Sequence, residues 1–145
     1  MSFVIAPYTD HHFDGVDTLW REAFPRDAPR NRAVAAIPKK LAMQDELFLV
    51  ALKEDQVVGS IMAGYDGYRG WLNRVAVLKT QQKRGVGTAL VREAEARLWT
   101  LGCGKINLQI NSSNEAVAGF YRRLGYALEE RISMAKVPLD LKKPS

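Results

Sequence analysis

The chain has 145 residues, of which 47% are hydrophobic and 26% charged, as expected for one compact globular domain that needs no disulfide or metal to stabilise it. The net charge of +5 is mild, and the lysine pairs at 39–40 and 142–143 are too short for a nucleic-acid-binding stripe. A single cysteine excludes an intrachain disulfide, and no apolar run approaches the ~20 residues of a membrane span. The first residues lack a signal-peptide pattern, so we expect a cytoplasmic protein with no nucleic-acid or membrane partner.

The hydrophobic periodicity predicts a single mixed α/β domain over residues 1–145, with the element order βααβββαβαββ. Asp10 is placed to cap the first helix, and Gly102 and Gly125 are typical of positions just past helix ends. Turn signals at 54–55 and 66–67 join three strands into an antiparallel meander. The elements are predicted at residues 3–8, 10–24, 32–43, 47–78 (three strands), 87–101, 105–110, 115–124 and 126–137.

A glycine-containing loop, within QQKRGVGTAL, stands between the last strand of this meander and the next helix. Unpaired N–H groups and the helix dipole make the N-terminus of a helix favourable for an anion. Gly85 and Gly87 allow the backbone to approach a phosphate, and Lys83 and Arg84 add positive charge. The loop is therefore a candidate phosphate site, and the alternative is a plain turn into a helix.

Two common phosphate motifs do not fit this loop. The sequence contains no GxxxxGK[ST] segment, which excludes a Walker loop, and the dinucleotide pattern GxGxxG fails at Leu90. Phosphate binding therefore needs support from another part of the chain.

Asn114 and Tyr121 provide that support, because they lie seven residues apart at the predicted helix 115–124. Seven residues are nearly two turns, so the two side chains share a face and lie about 10 Å apart along the axis. Such a pair can contact two points of one elongated ligand. The alternative is that Asn114 only caps the helix and Tyr121 only packs.

The segments VAVLKTQQKRGVGTAL and NEAVAGFYRRLGY resemble two motifs of the GNAT acetyltransferase superfamily. In the first, Gln82, Gly85 and Gly87 match the pattern Gln/Arg-x-x-Gly-x-Gly/Ala, which binds the pyrophosphate of acyl-CoA. In the second, Asn114 and Tyr121 are in step. The element order is also similar along nearly the whole chain. The sequence is particularly similar to small bacterial YpeA-type members, which are related to the protein N-terminal alanine acetyltransferases.

The resemblance implies a largely antiparallel sheet with helices on both faces, splayed between its fourth and fifth strands by a bulge. It also implies acetyl-CoA as co-substrate and no metal. The pantetheine arm is expected to pair with the backbone of residues 75–77, and the pyrophosphate with the amides of residues 83–88. The implied cofactor-binding residues are Val75, Ala76, Val77, Gln82, Lys83, Arg84, Gly85, Val86, Gly87, Thr88, Asn114 and Tyr121.

Tyr121 is also the catalytic residue that the resemblance implies. Direct attack of a neutral amine on the thioester releases a thiolate, which must be protonated or hydrogen-bonded. A tyrosine with its ordinary pKa near 10 keeps its proton at neutral pH and can do this. A strand N–H near Val75 or Val77 is expected to stabilise the charge that develops on the carbonyl oxygen.

The general base and the acceptor remain open. Many superfamily members have a glutamate on the strand that leads into the cofactor site, but residues 69–73 contain no carboxylate, which leaves Glu22, Asp66 or a water relay. The expected function is N-acetyl transfer from acetyl-CoA to an amine of a small molecule or protein N-terminus, by a monomer or homodimer. The alternatives are a catalytically idle acyl-CoA-binding module and a nucleotide-phosphate binder. Candidates for the acceptor side are the aromatic residues Trp20, Phe24, Tyr65, Tyr68 and Trp71.

Overall fold

The computed structural model describes residues 2–111 and 113–139, and Lys142 and Lys143 lie outside them. The chain divides into two compact units, Met1–Leu108 and Gln109–Ser145. No helix in the described part of the chain is long and apolar enough to cross a membrane. The elements of the first unit are β1 (Val4–Pro7), α1 (Phe13–Ala23), α2 (Ala33–Ala42), β2 (Phe48–Lys53), β3 (Gln56–Tyr65), β4 (Gly70–Val77), α3 (Val86–Thr100) and β5 (Ile106–Leu108).

The start of α1 differs from the prediction, because Asp10 does not cap this helix: Thr9 is the N-cap of a 3₁₀ turn, and His12 is the N-cap of α1. A 3₁₀ turn, Asp10–His12, leads into the helix, and Thr9 precedes this turn in extended conformation. The backbone N–H of Thr9 donates to Nδ1 of His12 over 3.0 Å, which closes a capping box with an imidazole in the place where Glu or Gln is usual.

The five strands form one sheet in the order β1-β2-β3-β4-β5. The first four pair antiparallel, and β5 runs parallel to β4. The β2–β3 hairpin turns at Glu54 and Asp55, which both have positive φ (51° and 65°), as a two-residue hairpin turn of the primed type requires. The predicted mixed α/β sheet and its antiparallel meander are confirmed.

Helices cover both faces of the sheet, as predicted. Gly59 brings α3 close to β3, because a Cβ atom there would lie 3.0 Å from Cδ1 of Leu90 and 3.1 Å from Cγ1 of Val86. Alternate side chains of a strand point to opposite faces, so α1 and α2 bury the other set of strand residues. The core on the α1 side contains Tyr8, Val16, Leu19, Trp20, Ala33, Ile37, Phe48, Val50, Val57 and Ala76.

The sheet opens between β4 and β5, as the resemblance implied. β5 pairs only with Gly70, Trp71 and Leu72, whereas β4 continues to Val77. The β3–β4 register shifts in this region, because Ser60 pairs with Ala76 but Met62 pairs with Asn73. Two residues of β4, Arg74 and Val75, therefore oppose one residue of β3, which defines a β-bulge.

The second unit, within its described residues, contains one α-helix, α4 (Glu115–Arg123). The helix ends as predicted, since Gly125 has a φ of 99° and Tyr126 N–H donates to the Tyr121 carbonyl over 3.0 Å. The prediction of one or two strands at 126–137 is wrong, because these residues join no sheet. Leu128, Ile132 and Met134 are 85–90% exposed, so the alternation of the sequence here has no buried face to support a strand.

Candidate active site

The glycine loop between β4 and α3 leaves the N-terminus of α3 without a side-chain cap. Gly85 is the N-cap of α3 with a φ of 84°, and no side chain caps the helix. Lys83 also has a positive φ, 65°, and residues 82–85 are exposed. The first turn of α3 contains no acidic residue. Left-handed residues at the start of a helix turn successive N–H groups into a concave surface that favours an anion.

Two side chains stabilise the approach to this loop. Gln82 Nε2 donates to the Val77 carbonyl over 3.1 Å, so Gln82 closes the loop onto the end of β4. Glu22, a candidate base, accepts from the backbone N–H of Lys79 over 2.9 Å. Both residues therefore have a structural partner next to the glycine loop.

The bulge in β4 is held by a charged side chain from within it. Arg74 has a φ of 55°, which is rare for a residue other than glycine. Its guanidinium donates two hydrogen bonds to Asp27, at 2.9 and 2.8 Å, and lies 4.3 Å from the Phe24 ring centroid and 5.2 Å from that of Trp20. The side chains of Arg74 and Asp27 are only 16% and 11% exposed. The pair ties the loop after α1 to the bulge, and no local sequence signal predicts it, because the partners are 47 residues apart.

The structure separates the aromatic residues that were expected on the acceptor side. Trp20 is 2% exposed and belongs to the core, whereas Tyr68 is 73% exposed at the β3–β4 hairpin. The Arg69 guanidinium lies over the Tyr68 ring, 4.7 Å from its centroid.

Asp66, the second candidate base, is a turn residue. Its Oδ1 accepts from the backbone N–H groups of Arg69 (2.7 Å) and Tyr68 (2.8 Å). These hydrogen bonds, Arg69 first, lower the pKa of the Asp66 carboxyl below its ordinary value. A carboxylate stabilised in this way is a weaker base, so the turn role is favoured.

In the second unit, Asn114 caps α4, and its Oδ1 accepts from the Val117 N–H over 3.2 Å. Tyr121 is 6% exposed, and its ring makes edge contacts with Phe120 and Tyr126 at centroid distances of 4.9 and 5.7 Å. Burial raises the pKa of Tyr121 to about 12. Both residues thus have the capping and packing roles that were the structural alternatives, and neither role occupies the amide nitrogen of Asn114.

Comparison with known proteins agrees with this fold. The family model described as "Acetyltransferase (GNAT) family" matches residues 13–126. An acetyltransferase of Pectobacterium atrosepticum is 38% identical over 124 residues, which are 86% of this chain and 87% of that protein.

Two solved structures share the fold. Ard1 from Thermoplasma volcanium has a TM-score of 0.80 at 18% identity, covering 89% of this chain and 85% of that one. A chain of the NatC complex bound to Gag peptide and CoA has a TM-score of 0.77 at 21% identity, covering 91% and 89%.

The fold, a mixed sheet opened beside β4 with helices on both faces, is shared with solved acetyltransferase structures. The chain belongs to the GNAT acetyltransferase family, since the family model matches most of its length. It is accordingly an acyltransferase, like its named relatives.

Proposed function

We propose that this protein transfers an acetyl group from acetyl-CoA to an amine of a small molecule or protein N-terminus by direct attack. The observation that carries the proposal is the exposed loop at residues 82–85, which leads into an uncapped α3 directly after a strand with an open edge. The pantetheine arm would pair with Val75, Ala76 and Val77 as an added strand. As expected from the sequence, we also propose that the protein is cytoplasmic and acts as a monomer or homodimer.

The pyrophosphate of acetyl-CoA would bind the amides of residues 83–88. A Cβ on Gly85 would meet no protein atom within 4 Å, so the space beside this backbone is open to a ligand. Lys83 and Arg84 contribute positive charge there, and the helix dipole adds to it. Asn114 would donate to the arm of the cofactor through its side-chain amide.

In the reaction, the amine nitrogen bonds to the thioester carbon as the carbon–sulfur bond breaks. Negative charge develops first on the carbonyl oxygen, where a β4 N–H would stabilise it. The amine passes its proton to solvent through a water relay or to Glu22, which has a second carboxylate oxygen besides the one that accepts from Lys79 N–H; Asp66 is a weakened base.

Tyr121 would donate a hydrogen bond to the departing thiolate. With a pKa of about 12 it stays protonated at neutral pH, but it is a weaker acid than a thiol of pKa ~8.5. Its role is therefore to stabilise the thiolate by hydrogen bonding, with the final proton supplied by solvent.

A thermal melt with CoA, ATP and NAD tests the cofactor. A ligand at 100 times its Kd adds about 2.7 kcal/mol to the free energy of unfolding, which raises the Tm by several degrees. We expect CoA to raise the Tm and expect ATP and NAD to leave it unchanged. Stabilisation by ATP or NAD without CoA would favour a nucleotide-phosphate binder. Stabilisation by CoA without consumption of acetyl-CoA in the presence of amines and peptides would favour an idle binding module.

Tyr121→Phe tests the catalytic role. We expect kcat to fall about 10²-fold while CoA still binds, because the thiolate loses its donor. Tyr8→Phe is the matched control: Tyr8 is also buried, and its hydroxyl has no hydrogen-bond partner among the described residues. Equal kcat in the two variants would exclude the role.

The pH dependence of kcat gives a second test of Tyr121. Burial disfavours the tyrosinate, so the raised pKa moves any loss of the donor to higher pH. We expect no fall in kcat through about pH 10, where an ordinary tyrosine titrates. A descending limb near pH 10 that is absent from Tyr121→Phe would show that Tyr121 donates in the reaction but that its pKa is not raised, whereas a limb near pH 10 that persists in Tyr121→Phe would belong to another group.

A further inference from the structure

The carbonyl of Arg74, inside the β4 bulge, is held by a side chain. Ser60 Oγ donates to the Arg74 carbonyl over 2.9 Å, and Trp20 Nε1 donates to Ser60 Oγ over 3.0 Å. Ser60 is completely buried and Trp20 is 2% exposed. A buried chain of hydrogen bonds therefore runs from α1 through β3 to one peptide group of the bulge.

These two hydrogen bonds fix the direction of one backbone donor, the Val75 N–H. The described residues contain no cis peptide, so the Arg74 C=O and the Val75 N–H lie in one plane and point in opposite directions. With the carbonyl held at Ser60, the Val75 N–H points away from Ser60. In the described part of the chain, β5 pairs with no residue of β4 beyond Leu72, so this stretch of β4 has a free edge.

We propose that Ser60 is a positioning residue, whose hydroxyl orients the Arg74–Val75 peptide so that Val75 N–H donates to the thioester oxygen of acetyl-CoA. This rests on the proposed function and selects Val75, rather than Val77, as the donor. Of these two donors, only the Val75 N–H shares its peptide group with a carbonyl that accepts from Ser60.

The bulge needs this support because its conformation is unfavourable by itself. A positive φ at a residue with a long side chain persists only where the surroundings over-determine it. Here the Arg74 carbonyl is bound by Ser60 and its guanidinium by Asp27. A donor oriented before the reaction needs no reorganisation when charge develops on the oxygen, which is the condition for strong stabilisation.

Ser60→Ala removes the hydroxyl with little change in volume. We expect kcat to fall roughly tenfold, less than the 10²–10³ that follows outright removal of an oxyanion donor. The Kd for CoA should not change, because CoA has no thioester carbonyl. Ile37→Val is the control for a general loss of core packing: it lowers the Tm, but Ile37 lies in α2 and has no part in the hydrogen-bond chain.

The proposal is supported if Ser60→Ala lowers kcat without changing the Kd for CoA. If Ser60→Ala and Ile37→Val have the same kcat, Ser60 has no positioning role, although the proposed function stands. If the wild type turns over no acetyl-CoA, the proposed function fails and the positioning role fails with it. Where Ser60→Ala does not fold, Ser60→Cys replaces it: a thiol is a weaker donor, so we expect a several-fold loss of kcat, and an unchanged kcat would overturn the proposal.

The amide resonance of Val75 gives a readout that is independent of turnover. In the wild type, its chemical shift should change more with acetyl-CoA than with CoA, since only acetyl-CoA offers the carbonyl acceptor. In Ser60→Ala or Ser60→Cys the difference should shrink. An identical response of the Val75 amide to the two ligands in the wild type would exclude it as the donor.

Discussion

The bulge in β4 and the glycine loop that follows β4 are built in opposite ways. The bulge at Arg74 and Val75 depends on buried side chains from α1, β3 and the loop after α1, which are distant in sequence. The glycine loop at residues 82–85 depends on its own backbone, with left-handed residues at 83 and 85 and no side-chain cap. The first arrangement exists only after the fold has formed, whereas the second is almost complete within the loop.

The contrast predicts that damage at the two places has different consequences. Changes at the bulge should reduce the free energy of unfolding first, because they leave buried polar groups without partners. Changes in the loop should affect CoA binding first, since exposed residues contribute little to stability. Three pairs of variants test this, from the largest expected effect to the smallest.

Asp27→Ala should have the largest effect. It leaves the Arg74 guanidinium largely buried without its carboxylate, which we expect to cost about 2–4 kcal/mol in the free energy of unfolding. Asp17→Ala is the control, because Asp17 pairs with Arg21 across an exposed turn of α1. That pair is worth less than about 0.5 kcal/mol. Similar losses in urea unfolding would mean that the Arg74 pair does not hold the bulge.

Gly85→Val should weaken CoA binding more than tenfold, since a branched side chain at positive φ distorts the amides that face the pyrophosphate. Gly102→Val is a close control at the other end of the same helix. Both glycines have positive φ, and a Cβ at either meets no protein atom within 4 Å. Each variant should lose about 1–2 kcal/mol of stability. The loop would not be the phosphate site if both variants bound CoA equally well by calorimetry.

Lys83→Gln should have the smallest effect, a two- to fivefold rise in the Kd for CoA at low salt, as expected for about 0.3–1 kcal/mol from one exposed charge pair between the lysine and the pyrophosphate. At 1 M salt the Debye length is about 3 Å, so the difference should disappear. Lys39→Gln makes the same charge change on α2, outside the loop. A Kd that changed equally in both variants would indicate a general effect of net charge.

The sequence predicted most elements of the first unit because their signals are local. Glu54 and Asp55 mark a hairpin, Gly102 ends α3, and Gly85 marks the loop by its freedom at positive φ. The bulge had no such signal, because Arg74 is not a residue type typical of its own conformation. Likewise, nothing in the sequence distinguishes Ser60 from other small residues of a strand. Its role depends on the folded structure, in which Trp20 of α1 donates to its hydroxyl.

Two predictions failed for identifiable physical reasons. Asp10 is a good capping residue, but it begins a 3₁₀ turn that has Thr9 as its N-cap, so α1 starts at Phe13, later than its capping signal indicates. The alternation at 126–137 indicates a possible half-buried strand, but a strand also needs a hydrogen-bonding neighbour and a covered face. Neither condition can be read from the residues of the segment alone.

Gly59 affects how closely α3 packs against the sheet next to β4. A Cβ atom on Gly59 would also lie 3.1 Å from the Ala76 carbonyl, in addition to its close approach to α3. A side chain at this position would require these neighbours, two of them in α3, to move by at least a few tenths of an ångström. The absence of a side chain at Gly59 therefore lets the first turn of α3, which follows the candidate phosphate-binding loop, pack closely against the sheet. A substitution at Gly59 would change the distance between α3 and the sheet without changing any residue of the loop.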